Sequence, residues 1–200
     1  MIVKLFNNNT EERKIREIVR ELNNGKIIVI PTDTVYAIAC SLQNKSAIER
    51  IQGVKNGKEI NEMSILCADL TGVSKYAKIS DVAFSALRKN LPGAFTFILP
   101  ATQKTPEKIL QKRSTIGIRI PDSAITLAII RELGCPLLAT SVELTGGEDE
   151  EYLTDPSLIE EKYSEVDIVV DGGIGVNIPS TVVDCTDDIV VIRQGAAELR

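Results

Sequence analysis

The sequence predicts an α/β domain built on a mixed sheet, and three observations carry that prediction. Strand-like and helix-like stretches alternate from end to end, with no linker, repeat or low-complexity tract between them. Apolar residues make up 44% of the chain and aromatics only 4%, so the core has to be assembled from Ile, Val, Leu and Ala, and the β-branched share favours a large sheet. The 200 residues suffice for one domain with a sizeable core, and no internal boundary is visible, so residues 1–200 read as a single domain.

Each element has a local reason. Ile2–Phe6 is a short apolar strand, and Asn9 or Thr10 is placed to cap a helix with Glu11 and Glu12 in its first turn. Ile15, Ile18, Val19 and Leu22 fall at helical spacing, and Asn24-Gly25 stops the helix. Lys26–Ile30 is a buried strand ending at Pro31, and Val35–Cys40 is the next strand. Ser46–Val54 is helical and runs into the polar loop Lys55–Glu62; the strand Met63–Cys67 follows. Two helical stretches, Gly72–Ala77 and Asp81–Lys89, precede the turn Leu91-Pro92-Gly93 and the strand Phe95–Leu99. A short helix at Pro106–Leu110 leads to the strand Thr115–Ile120; the helix Ile125–Leu133 ends before Gly134, and Leu137–Thr140 is a short buried strand. After the acidic loop Glu143–Glu151 come a helix at Pro156–Tyr163 and strands at Asp167–Val170, Thr181–Cys185 and Val190–Arg193.

Composition narrows the chemistry. The chain has no histidine, so no Ser-His-Asp triad, Cys-His pair, imidazole base or His-ligated zinc can be built within it. Proton transfer falls to Asp, Glu, Lys, Tyr, Cys, water or the substrate. A net charge of −5 argues against broad, sequence-blind nucleic-acid binding while permitting a local basic patch. Cys40, Cys67, Cys135 and Cys185 are widely spaced and form no C-x-x-C pair, which disfavours a zinc site or disulfide framework and suits a reducing compartment. The N-terminus becomes charged too early for a signal peptide, and no apolar run reaches the ~18 residues of a membrane span. A cytoplasmic protein is expected.

Two phosphate motifs fail on spacing. Gly53-Val54-Lys55-Asn56-Gly57-Lys58 is one residue short of a Walker A loop and is followed by Glu59. Gly173-Ile174-Gly175 follows a strand, but no helix opens after it and Pro179 intrudes. Glu143 with Glu148-Asp149-Glu150-Glu151 offers a metal cluster, but consecutive carboxylates on a Gly-containing loop read rather as a solvated segment without the alternating spacing of an EF-hand, and no metal ligand is assigned.

Five segments can carry chemistry. In Pro31-Thr32-Asp33-Thr34-Val35-Tyr36 a strand end delivers two hydroxyls, a carboxylate and a phenol, able either to bind a small polar ligand or to satisfy their own turn. Lys55 and Lys58 after a helix can meet phosphates or complement the helix dipole. Arg119 sits in an apolar strand on the face of Gly117 and Pro121, opposite Ile118 and Ile120; it can bind a carboxylate in a cleft or form a structural ion pair. Thr140-Ser141 ends a strand in hydroxyls, and Ser180 and Arg193 lie at strand ends; ligand contacts and capped or solvated turns both fit these positions. Two arginines and several hydroxyls without His look more like anion recognition than covalent catalysis.

In this order, the segments PTDTVYA, PGAFTFIL, TIGIRIP, LLATS, VDGG, PSTVVD and VIRQGA resemble the YrdC/YciO family of threonylcarbamoyl-AMP synthases, from about Ile2 to Ala196. TFILPAT, TIGIRIPD and DGG are similar to the YciO branch. The resemblance implies a twisted mixed sheet flanked by helices, with a concave cleft. It also implies condensation of L-threonine, bicarbonate and ATP to threonylcarbamoyl-adenylate and pyrophosphate, which feeds t6A modification of tRNA. ATP would be a substrate, with Mg²⁺ expected and its ligands unspecified. By position, Thr32, Thr34, Tyr36, Arg119 and Ser180 match the amino-acid pocket, with Arg119 at the carboxylate. Lys55, Lys58, Thr115, Ser141 and Arg193 match the nucleotide side, and Lys55 and Arg119 are the catalytic candidates.

The chain also departs from the family pattern. Gly57 stands where an arginine follows Lys55, Glu62-Met63 replaces Pro-Leu, Ala37 replaces a glycine, and Ser141-Val142-Glu143 stands where Ser-Ala-Asn is expected. Losing an arginine fork and gaining a carboxylate both oppose triphosphate binding. The alternative is therefore a YciO-like RNA- or nucleotide-binding protein without the reaction. Carbamoyl transfer, as in a related maturation domain, is a more distant option.

Overall fold

The computed structural model describes residues 1–5, 11–54, 63–110, 112–143 and 153–200. In chain order its elements are β1 (Ile2–Lys4), α1 (Glu12–Asn23), β2 (Ile28–Ile30), β3 (Ala37–Ser41), α2 (Lys45–Val54), β4 (Ser64–Leu66), α3 (Leu70–Tyr76), α4 (Asp81–Asn90), β5 (Phe95–Pro100), α5 (Glu107–Leu110), β6 (Thr115–Arg119), α6 (Ala124–Leu133), β7 (Leu137–Ser141), α7 (Pro156–Lys162), β8 (Ile168–Asp171), β9 (Thr181–Asp184) and β10 (Val190–Arg193). All ten strands of the described residues join one sheet in the order β1-β8-β2-β3-β7-β4-β6-β5-β9-β10. The pairs β1/β8, β2/β8, β4/β6 and β5/β9 are parallel and the others antiparallel, so the sheet is mixed, as the alternation of elements predicts.

Several boundaries differ from the sequence reading for visible reasons. The strand predicted from Lys26 begins at Ile28, because the Ile27 amide donates to the Asp167 carboxylate (2.8 Å) rather than to a ladder partner. The strand predicted from Val35 begins at Ala37, because the Thr32 hydroxyl takes the Val35 carbonyl (2.7 Å) into a turn. Glu11, not Asn9 or Thr10, occupies the N-cap of α1 and makes no side-chain cap bond; Phe6, Asn9 and Thr10 lie outside the described residues. Elsewhere the caps are built in: Asp69, Ser80, Ser123 and Asp155 accept first-turn amides of α3, α4, α6 and α7. Gly134 closes α6 at φ +71°, a left-handed turn that favours glycine.

Strand alternation sorts the core into two layers. One face of the sheet carries Ile38, Leu138, Ile65, Ile118 and Phe97, buried against apolar residues of α2, α3, α4, α5 and α7. The other face carries Ile28, Ile30, Ala39, Leu137 and Val170, buried against Ile15, Ile18 and Leu22 of α1 and Ile125, Ile129 and Ile130 of α6. No residue of β5, β6, β9 or β10 belongs to this second core. The α1–α6 pair therefore roofs only part of that face, and the open remainder becomes a cleft. Among the described residues, no helix is long and apolar enough to cross a membrane.

Candidate functional site

The open face holds a cavity of about 320 Å³. Its floor is defined by register. Ala139, Ser64, Gly117 and Ile98 pair across β7, β4, β6 and β5 into one transverse row, and the first three have side chains no larger than a hydroxymethyl. A Cβ added at Gly117 would lie 3.2 Å from the Thr96 methyl and 3.4 Å from the Ser64 Cβ. Small residues where a core would place Leu or Ile are what create the space.

The same register gives the cavity two ends. Toward one end β6 finishes at Arg119, opposite Leu66 of β4, and Thr96 of β5 faces Val182 of β9. The Ser180 and Thr96 hydroxyls are 2.9 Å apart there, and Arg193 donates from Nη2 to the Ser180 carbonyl (3.0 Å). The 31–36 connection folds over to the same end. Thr32 accepts the Thr34 amide on its hydroxyl (3.0 Å) and donates to the Val35 carbonyl, which winds the turn tightly. From this turn the Asp33 carboxylate pairs with Nη2 of Arg119, and Thr32 Oγ1 lies 3.3 Å from the same nitrogen. Arg119 is only 6% exposed, and its Nε is buried without a partner. Burial pulls its pKa down from the ordinary arginine value, and the Asp33 charge opposes that pull.

At the other end lie Thr115, Ser141, Glu143 and Arg113. Arg113 donates to the Leu110 (3.1 Å) and Ile109 (3.0 Å) carbonyls at the end of α5. The backbone of Glu143 is fixed by Tyr163, whose hydroxyl accepts from the Glu143 amide (3.0 Å) and donates to its carbonyl (2.9 Å). That anchorage holds an 8%-exposed glutamate against the cavity wall.

Of the residues singled out from sequence, the structure gathers Thr32, Arg119, Ser180 and Arg193 at one end of the cavity and Thr115 and Ser141 at the other. Thr34 and Tyr36 sit behind the wall. Thr34 is fully buried beside Thr32, and the Tyr36 hydroxyl donates to the Gly173 carbonyl (2.7 Å) and accepts from the Gly172 amide (3.1 Å). Burial pushes the Tyr36 phenol up to about 12, so it is a neutral strut at neutral pH. Gly175 belongs to that strut: its Cβ position lies 2.7 Å from the Tyr36 ring, which accounts for the glycine-rich run without any nucleotide. Lys55, Lys58 and the 148–151 carboxylates lie outside the described residues. Sequence reasoning missed Arg113, which follows no motif, and the pairing of Asp33 with Arg119, which needs a contact between residues 86 apart.

The described residues offer no cage of protein ligands for Mg²⁺, which would instead arrive on the phosphates of ATP. They contain no group of three or more carboxylate or thiol ligands, and among the described residues that line the cavity Glu143 alone carries a carboxylate.

Comparison with known proteins decides the family. Residues 20–195 match the Sua5/YciO/YrdC family model, described as telomere recombination. The chain is 38% identical over 195 residues to the uncharacterized protein YciO of Escherichia coli, covering 96% of this chain and 94% of that one. This protein belongs to the Sua5/YciO/YrdC family. The E. coli YciO crystal structure superposes with a TM-score of 0.92 at 36% identity, covering 99% of this chain and 97% of that chain. P. abyssi Sua5, crystallised with L-threonine, gives a TM-score of 0.89 at 27% identity, covering 98% of this chain and 57% of that one. The threonylcarbamoyl-AMP synthase of Bacillus subtilis is 29% identical over 194 residues, which span 93% of this chain and 54% of that protein. The Sua5/YciO/YrdC fold is thus a mixed sheet flanked by helices in this chain too, as the motifs imply.

Proposed function

We propose that this protein condenses L-threonine, bicarbonate and ATP into threonylcarbamoyl-adenylate and pyrophosphate, for t6A modification of tRNA. One observation carries the reading: a buried arginine, Arg119, lines a 320 Å³ cavity with its Nε unsatisfied and hydroxyl-bearing side chains at the same end. A carboxylate is the group that such a guanidinium edge accepts best. The names of the relatives, a threonylcarbamoyl-AMP synthase and a Sua5 complexed with L-threonine, support the same substrate.

The chemistry asks little of the protein beyond placement. Dehydrated bicarbonate supplies CO₂. The threonine amine attacks it and releases a proton, giving a carbamate. A carbamate oxygen then attacks the α-phosphorus of ATP, and the bond to the β-phosphate oxygen breaks to free pyrophosphate. Arg119 holds the carboxylate, Thr32 and Ser180 offer hydroxyls to the amino acid, Thr115 and Ser141 face the nucleotide from the far end, and Arg193, beside Ser180, meets it from the amino-acid end. Arg113 adds positive charge at the far end, with Lys55 and Lys58 assigned to the phosphates from sequence. Alignment and charge neutralisation carry such a reaction, and no imidazole is needed. The test is pyrophosphate release from folded protein with Mg²⁺: it is expected only when threonine and bicarbonate are both present. Release that ignores either one, or none at all, sinks the proposal.

A second reading has one specific observation behind it. Glu143 sets a buried carboxylate against the end where phosphates would bind, which opposes a triphosphate. On that reading the cleft binds RNA or a nucleotide at the opposite end, through Arg119 and Arg193, with Lys55 and Lys58 assigned from sequence, and without condensation. It expects a tRNA or double-stranded RNA gel shift that weakens steeply with salt, and no shift at low salt removes it.

A further inference from the structure

Arg119 already holds one carboxylate, and how it does so indicates how it takes another. Nη2 donates to Asp33 and to the Thr32 hydroxyl, while Nε, on the same edge of the guanidinium, is buried with nothing to accept its proton. Nε–H and Nη2–H together form the fork that grips a carboxylate by two parallel bonds. Asp33 therefore occupies half of the fork and leaves the other half empty inside a low-dielectric wall. It reaches this position from the 31–36 turn, whose shape Thr32 fixes, so the half-occupied fork belongs to the ligand-free fold.

We propose that Asp33 is an internal stand-in for the ligand carboxylate and sets the affinity of the cavity for small carboxylates, L-threonine above all. This rests on the reading that Arg119 binds the amino-acid carboxylate, and it adds the residue that opposes that binding. An incoming carboxylate satisfies Nε and contends with Asp33 for Nη2. Two effects act in the same direction. Two carboxylates around one buried guanidinium repel each other. Asp33 also neutralises Arg119 in the ligand-free protein, so the ligand gains less than it would against an uncompensated cation. Asp33 is thus a positioning residue that acts through Arg119 and contributes to specificity, not a group that takes part in the chemistry.

Asp33→Asn separates charge from shape, because the amide oxygen still accepts from Nη2 while the negative charge is gone. Calorimetry on the intact chain is expected to show L-threonine binding about tenfold tighter in D33N than in wild type, the scale of one charge-assisted contact. L-threonine amide, which has no carboxylate, should bind D33N no better than wild type. A residue that merely holds Arg119 in place would instead weaken threonine binding when altered. If D33N does not fold, Asp33→Ser is measured in its place, and the rise in melting temperature caused by L-threonine is expected to be larger in the variant that folds. Equal or weaker threonine binding, an equal gain for the amide, or no threonine binding by either chain overturns the proposal. The synthase reading stands or falls separately: threonine-dependent pyrophosphate release by wild type with unchanged D33N affinity removes only the stand-in. Tighter threonine binding by D33N without any pyrophosphate release removes only the synthase.

Discussion

The two faces of the sheet solve opposite problems with the same alternating strands. One is packed with Ile, Leu and Phe under five helices, and the other, beyond the reach of α1 and α6, is floored by Ala, Ser and Gly. A single residue of register separates them, since Ile65 and Ile118 point into the core while Ser64 and Gly117 point into the cavity. The cleft is thus not a gap in packing. It is a face on which side chains were kept small and the covering helices stop short.

That contrast can be broken from either side. The largest effect is expected on the packed face: Phe97→Ala removes a fully buried ring and should lower the unfolding free energy by about 3–5 kcal/mol, measured by denaturant titration. On the open face, Ser64→Leu grows into empty space rather than into a packed core. It should move the melting midpoint by less than about 3 °C. The same variant should weaken L-threonine binding by about a hundredfold, a loss of about 2.7 kcal/mol by calorimetry. A large stability loss in S64L would mean that the floor is part of the core after all.

Cys40, Cys67 and Cys185 belong to the packed face, and burial pushes the first two up to about 12 and the third to about 11. They should resist a thiol reagent at pH 8 in the native state and react at the rate of unfolding, followed by mass spectrometry. Fast labelling of any of the three would show that this face opens locally. The smallest effect is expected at Asp167, between β2 and β8. Burial disfavours its charge, but the Ile27 amide, Lys26 (3.0 Å) and Arg50 (3.1 Å) together hold its pKa below the usual carboxylate value. Its folded pKa is therefore the lower one. Its stabilisation is present at neutral pH and is lost as pH falls through the usual carboxylate range toward the folded value. Asp167→Asn should cost about 1 kcal/mol at pH 7 and flatten the acid limb of the stability curve.

Most of the strands and helices were legible in the sequence because their signals are local. Apolar runs, caps and Gly or Pro stops lie within a few residues of the structure they specify, as at Ser80 for α4 and Gly134 for α6. The errors fall where a distant group competes for the backbone, as Asp167 does at Ile27. The cavity was half legible. Arg119 stood out because a charge in an apolar strand needs a reason, and Thr32 and Ser180 stood out as hydroxyls at strand ends. Tyr36 looked like a ligand contact because the sequence offers no sign that residues 172–175 fold across it. Arg113 was invisible because its place in the cavity depends on the end of a four-residue helix.

The Pro31 oxygen, where β2 ends, accepts from both Ser123 (3.0 Å) and Thr126 (2.6 Å) at the start of α6. The turn that follows, bearing Thr32 and Asp33, is thereby moored to a helix that is itself packed against α1. The conformational entropy of that turn is surrendered when the chain folds, not when a ligand arrives. Association at the Arg119 end should then proceed as the entry of a small molecule into a finished mould, with a heat capacity change set by the ligand and cavity surface desolvated and no share from ordering of the turn.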